Sequence, residues 1–208
     1  PIIYALSREN KEERLKIVKF LLSKKDINLD VKNAQGEGLI HLAIKNNDAV
    51  IVELLLKRNP KIVNNKALQG MVPLHYAVNN NNLSMIELLF QYNPDITIDV
   101  QDNTMLTPLM YAAKAGYFDV CKMLLEKGAQ VNESDRRFRQ RKAGSTALMY
   151  AAQEGHADIC RLLLHYGANP ALKNADGKTA YDLAKNDQIK KILYCYPEYE
   201  CIRNVVNS

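Results

Sequence analysis

The sequence lacks several features that would indicate a common functional class. It contains no tryptophan, and no apolar run approaches the roughly 20 residues that a membrane-spanning helix needs. Its start does not have the pattern of a secretory signal peptide. A Walker A loop, a G-x-G-x-x-G motif and an H-E-x-x-H motif are all absent. We therefore expect no catalytic residues, no cofactor and no metal, and we predict that the chain is not an enzyme.

Cysteine is scarce, with Cys121, Cys160, Cys195 and Cys201 as its four occurrences. The first two stand where other copies of a recurring pattern carry aliphatic residues, which predicts small buried side chains. The other two are too isolated to predict a zinc site. Few thiols without a disulfide framework fit a reducing intracellular setting, in the cytoplasm or the nucleus.

The most informative feature that is present is repetition. The phrase VPLHYA at 72–77 recurs as TPLMYA at 107–112 and TALMYA at 146–151, and degraded copies surround it. Its alanine stands at positions 5, 43, 77, 112, 151 and 184. An aliphatic run such as VELLL or CRLLL follows each of the better copies. A period of this size predicts stacked repeats, an architecture that usually serves binding.

One copy, residues 107–132, can be interpreted physically. Thr107 can cap a helix with its hydroxyl group, and Pro108 suits the first helical position. Gly116 can take the left-handed conformation that ends this helix. The apolar residues of 120–125 have helical spacing and predict a second helix, which Gly128 ends.

The recurring phrase, the apolar stripe of the predicted second helix and the repeat period together resemble the ankyrin repeat, whose units are a β-turn finger and two antiparallel helices. The resemblance covers Pro1 to about Leu193 and implies an all-α solenoid of about six repeats, including partial terminal copies. The approximate repeats are 1–32, 33–66, 67–101, 102–133, 134–173 and 174–193. We expect residues 194–208 to cap the last helix pair, with docking onto a partner as the alternative. Because the chain starts inside a repeat, we expect it to be an excerpt of a longer protein.

Departures from the repeat pattern predict local differences. Asn47 and Asn81 stand where other copies carry a helix-ending glycine, and Asn59 and Asn93 do the same at the second helix. Asparagine tolerates the left-handed conformation, so we expect it at all four positions. Met105 occupies a finger position that is glycine in other copies, which predicts a different turn there. Insertions are expected within 7–16 and 135–142.

The resemblance implies that fingers and first-helix ends line a concave groove that binds another protein. Exposed apolar fingers beside polar amides would suit such an interface. We expect the finger contacts at Gln35, Glu37, Leu68, Gln69, Met71, Asn103, Thr104, Met105 and Leu106. We expect the helix-end contacts at Lys45, Asn46, Asn79, Asn80, Lys114, Gln153 and Glu154. The chain is expected to be monomeric.

A basic finger is the sharpest local signal. Its residues are Arg136, Arg137, Phe138, Arg139, Arg141 and Lys142. The alternatives for it are a solvated loop, an acidic protein partner, a phosphoinositide or other phosphorylated ligand, and a nuclear-import or nucleic-acid contact. A separate hypothesis makes the whole chain the targeting module of a larger enzyme or of a bacterial effector in a host cytosol.

The remaining polar signals are interpreted as structural. His41 and His75 match the family position that the resemblance implies for turn-stabilising hydrogen bonds. Tyr76 and Tyr150 belong to a recurring tyrosine position that we expect to be half-buried between first helices, with ligand stacking as the alternative. Asn132 resembles a target of ankyrin asparaginyl hydroxylation, but a turn-stabilising role is the alternative that we favour.

Overall fold

The computed structural model describes residues 2–6, 10–24, 27–93, 96–135 and 144–195. The chain divides into two compact units, Pro1–Thr104 and Met105–Ser208, called here the N-terminal and C-terminal units. The predicted capping tail lies outside the described residues from position 196 onward. The described part of that tail includes Tyr194, whose side chain is exposed.

Helices of the N-terminal unit come in antiparallel pairs. The first helices α1, α3 and α5 pack side by side in one row, and the second helices α2, α4 and α6 form another. A 3-10 helix follows α4. The bounds are α1 (Ile2–Leu6), α2 (Lys11–Leu22), α3 (Leu39–Lys45), α4 (Ala49–Arg58), the 3-10 helix (Pro60–Asn64), α5 (Pro73–Asn79) and α6 (Leu83–Tyr92).

The C-terminal unit follows the same plan. Helix α9 packs between α7 and α11, while α8 packs against α10. The bounds are α7 (Pro108–Ala115), α8 (Phe118–Glu126), α9 (Ala147–Glu154), α10 (Ala157–His165) and α11 (Ala180–Leu183), and residues 187–195 are also helical. Side chains of the predicted 120–125 stripe at Val120, Cys121, Leu124 and Leu125 are buried. The all-α repeat fold predicted from the sequence is confirmed.

At the start of α3, α5 and α7, a side chain accepts a hydrogen bond from a backbone N–H group. In the C-terminal unit, the hydroxyl group of Thr107 accepts the N–H of Met110 at 3.3 Å, as predicted. In the N-terminal unit, α3 begins after Gly38, and Nδ1 of the buried His41 accepts the Gly38 N–H at 3.1 Å. His75 does the same for the N–H of the residue before α5, at 3.2 Å. The structural interpretation of both histidines is thereby confirmed.

The left-handed conformation appears at some of the predicted asparagines and not at others. Asn47 and Asn81 adopt it, with φ of 56° and 49°. The prediction for Asn59 and Asn93 is wrong, because their φ values are −150° and −147° and their backbones are extended. A proline follows each of them in the sequence, and the residue before a proline is pushed toward extended conformations.

The prediction of a different turn at Met105 is also wrong. Its φ is 69°, in the same left-handed region as Gly36, Gly70 and Gly177, whose φ values are 69°, 75° and 75°. This turn therefore keeps the left-handed φ of the other finger turns, at a residue that carries a side chain. Left-handed backbone costs energy for any residue with a Cβ atom.

Candidate functional site

Adjacent fingers of the N-terminal unit are joined edge to edge. The Leu68 N–H donates to the Gln35 carbonyl at 3.1 Å, and the Asn103 N–H donates to the Gln69 carbonyl at 2.9 Å. The side-chain amide of Asn103 also donates to the Leu68 carbonyl at 2.7 Å. The finger backbones are therefore fixed by direct hydrogen bonds before any partner arrives.

Glycine at the finger turns makes this close approach possible. A Cβ atom on Gly36 would lie 2.7 Å from Leu68 Cγ, and one on Gly70 would lie 2.5 Å from Asn103 Oδ1. Both glycines also have left-handed φ values. Any larger residue would strain the turn and separate the fingers.

A buried carboxylate ties one finger to two first helices. Glu37 is 5% exposed, and its Oε1 accepts Lys45 Nζ at 2.9 Å and the Tyr76 hydroxyl at 3.0 Å. Its Oε2 accepts the Asn33 side-chain amide at 2.8 Å. This set of contacts, called here the Glu37 cluster, connects the finger to α3 and α5.

Charge in the Glu37 cluster is stabilised internally. Burial by itself would raise the pKa of Glu37, but hydrogen bonds from Lys45, Asn33 and Tyr76 outweigh it and hold that pKa below its ordinary value. Burial, followed by the hydrogen bond to Glu37, raises the pKa of Tyr76. Near neutral pH the carboxylate is therefore ionised and the phenol is protonated, an arrangement that holds structure rather than transfers protons.

The C-terminal unit contains a related arrangement at the base of the basic finger. Asp135 Oδ2 accepts the Tyr150 hydroxyl at 2.6 Å, and its Oδ1 accepts the Ser145 N–H at 2.5 Å. The Asp135 N–H donates in turn to the Ser145 carbonyl at 3.1 Å. Lys114 Nζ lies 5.7 Å from the Tyr150 ring centroid. These hydrogen bonds join the two ends of the basic finger, at Asp135 and Ser145. The predicted finger residues lie outside the described residues; they are Arg136, Arg137, Phe138, Arg139, Arg141 and Lys142.

Exposure separates the predicted contact residues into three groups. Those with exposed side chains are Gln35, Lys45, Asn46, Leu68, Gln69, Asn79, Asn80, Asn103, Thr104, Lys114 and Gln153. Those that are half-buried are Met105, Leu106 and Glu154. The expectation of exposure is wrong for Met71, which is 6% exposed, and for Glu37, because both point into the packed base of a finger.

Two of the exposed asparagines have an internal role that sequence reasoning missed. Asn46 Nδ2 donates to the Leu6 carbonyl at 2.6 Å, and Asn80 Nδ2 donates to the Ile44 carbonyl at 2.8 Å. Each amide satisfies a carbonyl at the end of the preceding first helix, where intrahelical partners run out. These residues join neighbouring repeats and offer a partner only their remaining polar atoms.

Sequence reasoning also missed an asparagine that shapes two of the fingers. Asn33 Oδ1 accepts the N–H groups of Gln35 at 3.0 Å and Glu37 at 2.9 Å. Asn174 Oδ1 accepts the corresponding pair of N–H groups, both at 3.0 Å. The signal was present as the recurring pattern N-A-x-G at 33–36 and 174–177, since asparagine stabilises turns in this way.

Asn132 likewise has a structural role. Its side-chain amide donates to the Gly167 carbonyl at 3.1 Å, and its Oδ1 accepts the Asn169 N–H at 2.8 Å. The turn-stabilising interpretation is therefore confirmed, and its hydroxylation stays a prediction.

Thiol chemistry is disfavoured at the buried cysteines. Cys121 and Cys160 are 0% exposed, and burial raises the pKa of each thiol to about 12. Among the residues that the structure describes, no group of three or more His, Cys, Asp or Glu side chains is placed to bind a metal ion. No helix in the same residues is long and apolar enough to cross a membrane.

Comparison with known families agrees with this geometry. A family model for ankyrin repeats in three copies matches residues 2–102 and 40–135, and a model for ankyrin repeats in many copies matches residues 109–164. A comparison with curated proteins gives no match. Ankyrin repeats are generally protein–protein interaction modules and are typically not enzymes. Since the matched segments span most of its length, the chain belongs to the ankyrin repeat family.

Proposed function

We propose that the chain is a non-enzymatic scaffold that binds another protein through its fingers and first-helix ends. The observation that carries this proposal is the exposure of Leu68, at 68%, on a finger whose backbone is hydrogen-bonded to both neighbouring fingers. A large exposed apolar side chain gains free energy when a partner covers it, and the hydrogen-bonded finger backbone loses little conformational entropy in doing so.

The surroundings of Leu68 suit a protein partner. Gln35, Gln69 and Asn103 expose polar side chains on the joined fingers. An apolar centre with a polar rim is the usual composition of a protein interface. A partner segment would cover Leu68 with an apolar side chain and hydrogen-bond the side-chain amides of Gln35 and Gln69 with its own backbone.

The test replaces Leu68 with aspartate and compares it with a matched control. Val50 is 46% exposed on α4, a second helix, so Val50→Asp adds the same charge at an exposed apolar position away from the fingers. In affinity capture from a cell extract with mass spectrometry, Leu68→Asp should lose the proteins that the native chain and Val50→Asp both retain. Equal capture by all three would reject the finger surface. Met71 is unsuitable for this test because its side chain is buried.

Anion binding by the basic finger is the second candidate, and the sequence of 136–142 favours it. If five cationic side chains contact phosphates of duplex DNA, the logarithm of the binding constant should fall with the logarithm of salt concentration, with a slope of at most roughly −4.5. Binding of duplex DNA and of phosphoinositide vesicles is measured across salt concentrations. If neither probe binds at low salt, this candidate is removed.

A further inference from the structure

Two phenylalanines on second helices are exposed, and the charges around them differ. Phe20, near the end of α2, is 62% exposed, and Phe118, at the start of α8, is 40% exposed. Lys16 stands four residues before Phe20 and therefore shares its side of the helix. Lys24 Nζ lies 5.0 Å from the centroid of the Phe20 ring. Phe118 is instead followed directly by Asp119.

Further cations stand at the ends of the same second helices. Lys19 lies in the last turn of α2, and Lys57 and Arg58 lie in the last turn of α4, which packs against α2. Lys61 follows in the 3-10 helix. All four side chains are exposed, while the half-buried Glu53 pairs with Lys57 at 2.7 Å.

These groups share one edge of the N-terminal unit, because second helices of stacked repeats run in the same direction. Phe20 and the cations beside it on α2, α4 and the 3-10 helix are called here the Phe20 edge. The C-terminal unit has no equivalent on α8 and α10, since the last turn of α8 contains no basic residue and that of α10 contains His165 alone. The helix dipole favours cations at helix ends, but it gives no reason for an exposed phenyl ring among them.

We propose that the Phe20 edge docks on the surface of a membrane that contains anionic lipids. This site is separate from the fingers and does not depend on the proposed protein-binding function. Acidic headgroups attract the exposed ammonium groups, and the phenyl ring enters the boundary between headgroups and acyl chains. The lysine side chains lay their aliphatic stems along that boundary while their charges stay at the headgroups. An acidic polypeptide is the alternative partner, and the test separates the two.

The first measurement locates the contact by fluorescence. The full chain has no tryptophan, so Phe20→Trp and Phe118→Trp each introduce a single reporter. Vesicles contain phosphatidylcholine and phosphatidylserine in equal parts, or phosphatidylcholine alone. With the anionic vesicles, Phe20→Trp emission should shift to shorter wavelengths and be quenched by lipids brominated on their acyl chains. Phe118→Trp should bind the same vesicles without either change.

The second measurement compares vesicle affinities by cosedimentation. Lys16→Gln and Lys19→Gln should each weaken binding to the anionic vesicles by about fivefold. Phe20→Ala should weaken it by about tenfold, since the ring no longer leaves water. Lys122→Gln, at a 54% exposed lysine of α8, and Phe118→Ala are the matched controls and should leave the affinity unchanged. Circular dichroism checks that each variant is folded.

Three results would overturn the inference. If the native chain binds neither kind of vesicle, no membrane site exists, while capture of proteins by the Leu68 surface is unaffected. If the chain binds anionic vesicles but Phe20→Trp emission stays unchanged, the contact lies elsewhere, as it would if the basic finger alone bound the lipid. If soluble polyglutamate shifts Phe20→Trp emission and vesicles do not, the Phe20 edge binds an acidic polypeptide instead.

Discussion

The two units begin their first helices by opposite means. In the N-terminal unit, the N–H groups of Gly38 and Val72 are accepted by histidine side chains three residues later in the chain. In the C-terminal unit, the hydroxyl groups of Thr107 and Thr146 accept N–H groups three residues later. Both arrangements satisfy a donor that the helix itself leaves unpaired. Only the histidine arrangement uses a type of side chain whose ordinary pKa lies near physiological pH.

The units also differ in where they place charge. Arg14 Nε lies 2.8 Å from Asp48 Oδ2, and both side chains are less than a tenth exposed. In the C-terminal unit, Arg161 Nη1 lies 2.9 Å from Asp158 Oδ1, but those side chains are 52% and 82% exposed. Nearly equal distances therefore occur in very different surroundings, so the pairs separate the effect of geometry from that of burial.

The largest expected effect comes from breaking the buried ion pair. Arg14→Leu leaves the Asp48 carboxylate buried without its main counterion and should cost about 3–5 kcal/mol of stability. Arg161→Leu, the matched change at the exposed pair, should alter stability little because solvent screens it. Urea unfolding followed by circular dichroism measures both variants.

A second variant checks the cause of this loss. If the unpaired charge is responsible, the double substitution of Arg14 and Asp48 by leucine should recover much of the stability lost in the single variant. Equal costs for Arg14→Leu and Arg161→Leu would contradict the role assigned to burial.

An exchange of helix-ending residues should have an intermediate effect. A Cβ atom on Gly116 would lie 2.6 Å from Cε1 of His156, so Gly116→Asn should destabilise the chain by about 1–3 kcal/mol. The reverse exchange, Asn81→Gly, keeps a residue that accepts the left-handed φ and should change stability by no more than about 1 kcal/mol. Thermal unfolding of both variants decides whether the glycine is required for space or for backbone conformation alone. Similar changes in Tm for the two variants would show that space is not limiting.

The smallest expected effect concerns pH. Burial lowers the pKa of His41, and the nearby charge of Lys32 acts weakly in the same direction. Together they outweigh the hydrogen bonds with the Asn65 and Met71 backbones and the charge of Glu37, which raise it. The neutral form is therefore favoured in the folded state, and its contribution to stability is complete above the unfolded value of about 6.5. This contribution is lost as the pH falls through that value toward the lower folded pKa. Helix α3 should lose hydrogen-exchange protection between pH 7.5 and 5, while α9 should change less.

His41→Gln provides the control for this prediction. Glutamine can accept the Gly38 N–H but does not gain a proton in this range. The variant should therefore reduce the pH dependence of α3, even if it lowers stability at pH 7.5. An unchanged pH dependence would assign the effect to other groups.

Much of the fold could be predicted from particular residues. Thr107, Pro108 and Gly116 carry strong local preferences, and the structure uses each one as expected. Asn59 and Asn93 were mispredicted because the local effect of the following proline outweighed the tolerance of asparagine for left-handed backbone. Met105 was mispredicted because the turn keeps its left-handed conformation despite the side chain.

The candidate surface was less predictable than the fold. Position within a repeat identified the fingers, but it did not show that Met71 points inward while Leu68 points outward. Nor did it indicate that Asn46 and Asn80 hydrogen-bond to carbonyls of the preceding first helix. Such contacts join residues more than 30 positions apart, and local preference carries no information about them.

The sequence by itself determined that this chain is an array of paired helices, because a recurring set of caps, alanines and aliphatic stripes can bury its apolar faces only by stacking. The tertiary structure alone decided which polar groups hold the array together and which remain available. Burial of Glu37 under Lys45 and Tyr76, and exposure of Leu68 on hydrogen-bonded fingers, depend on how one repeat meets the next. That packing determines the free energy of each side chain, which the residue type alone does not specify.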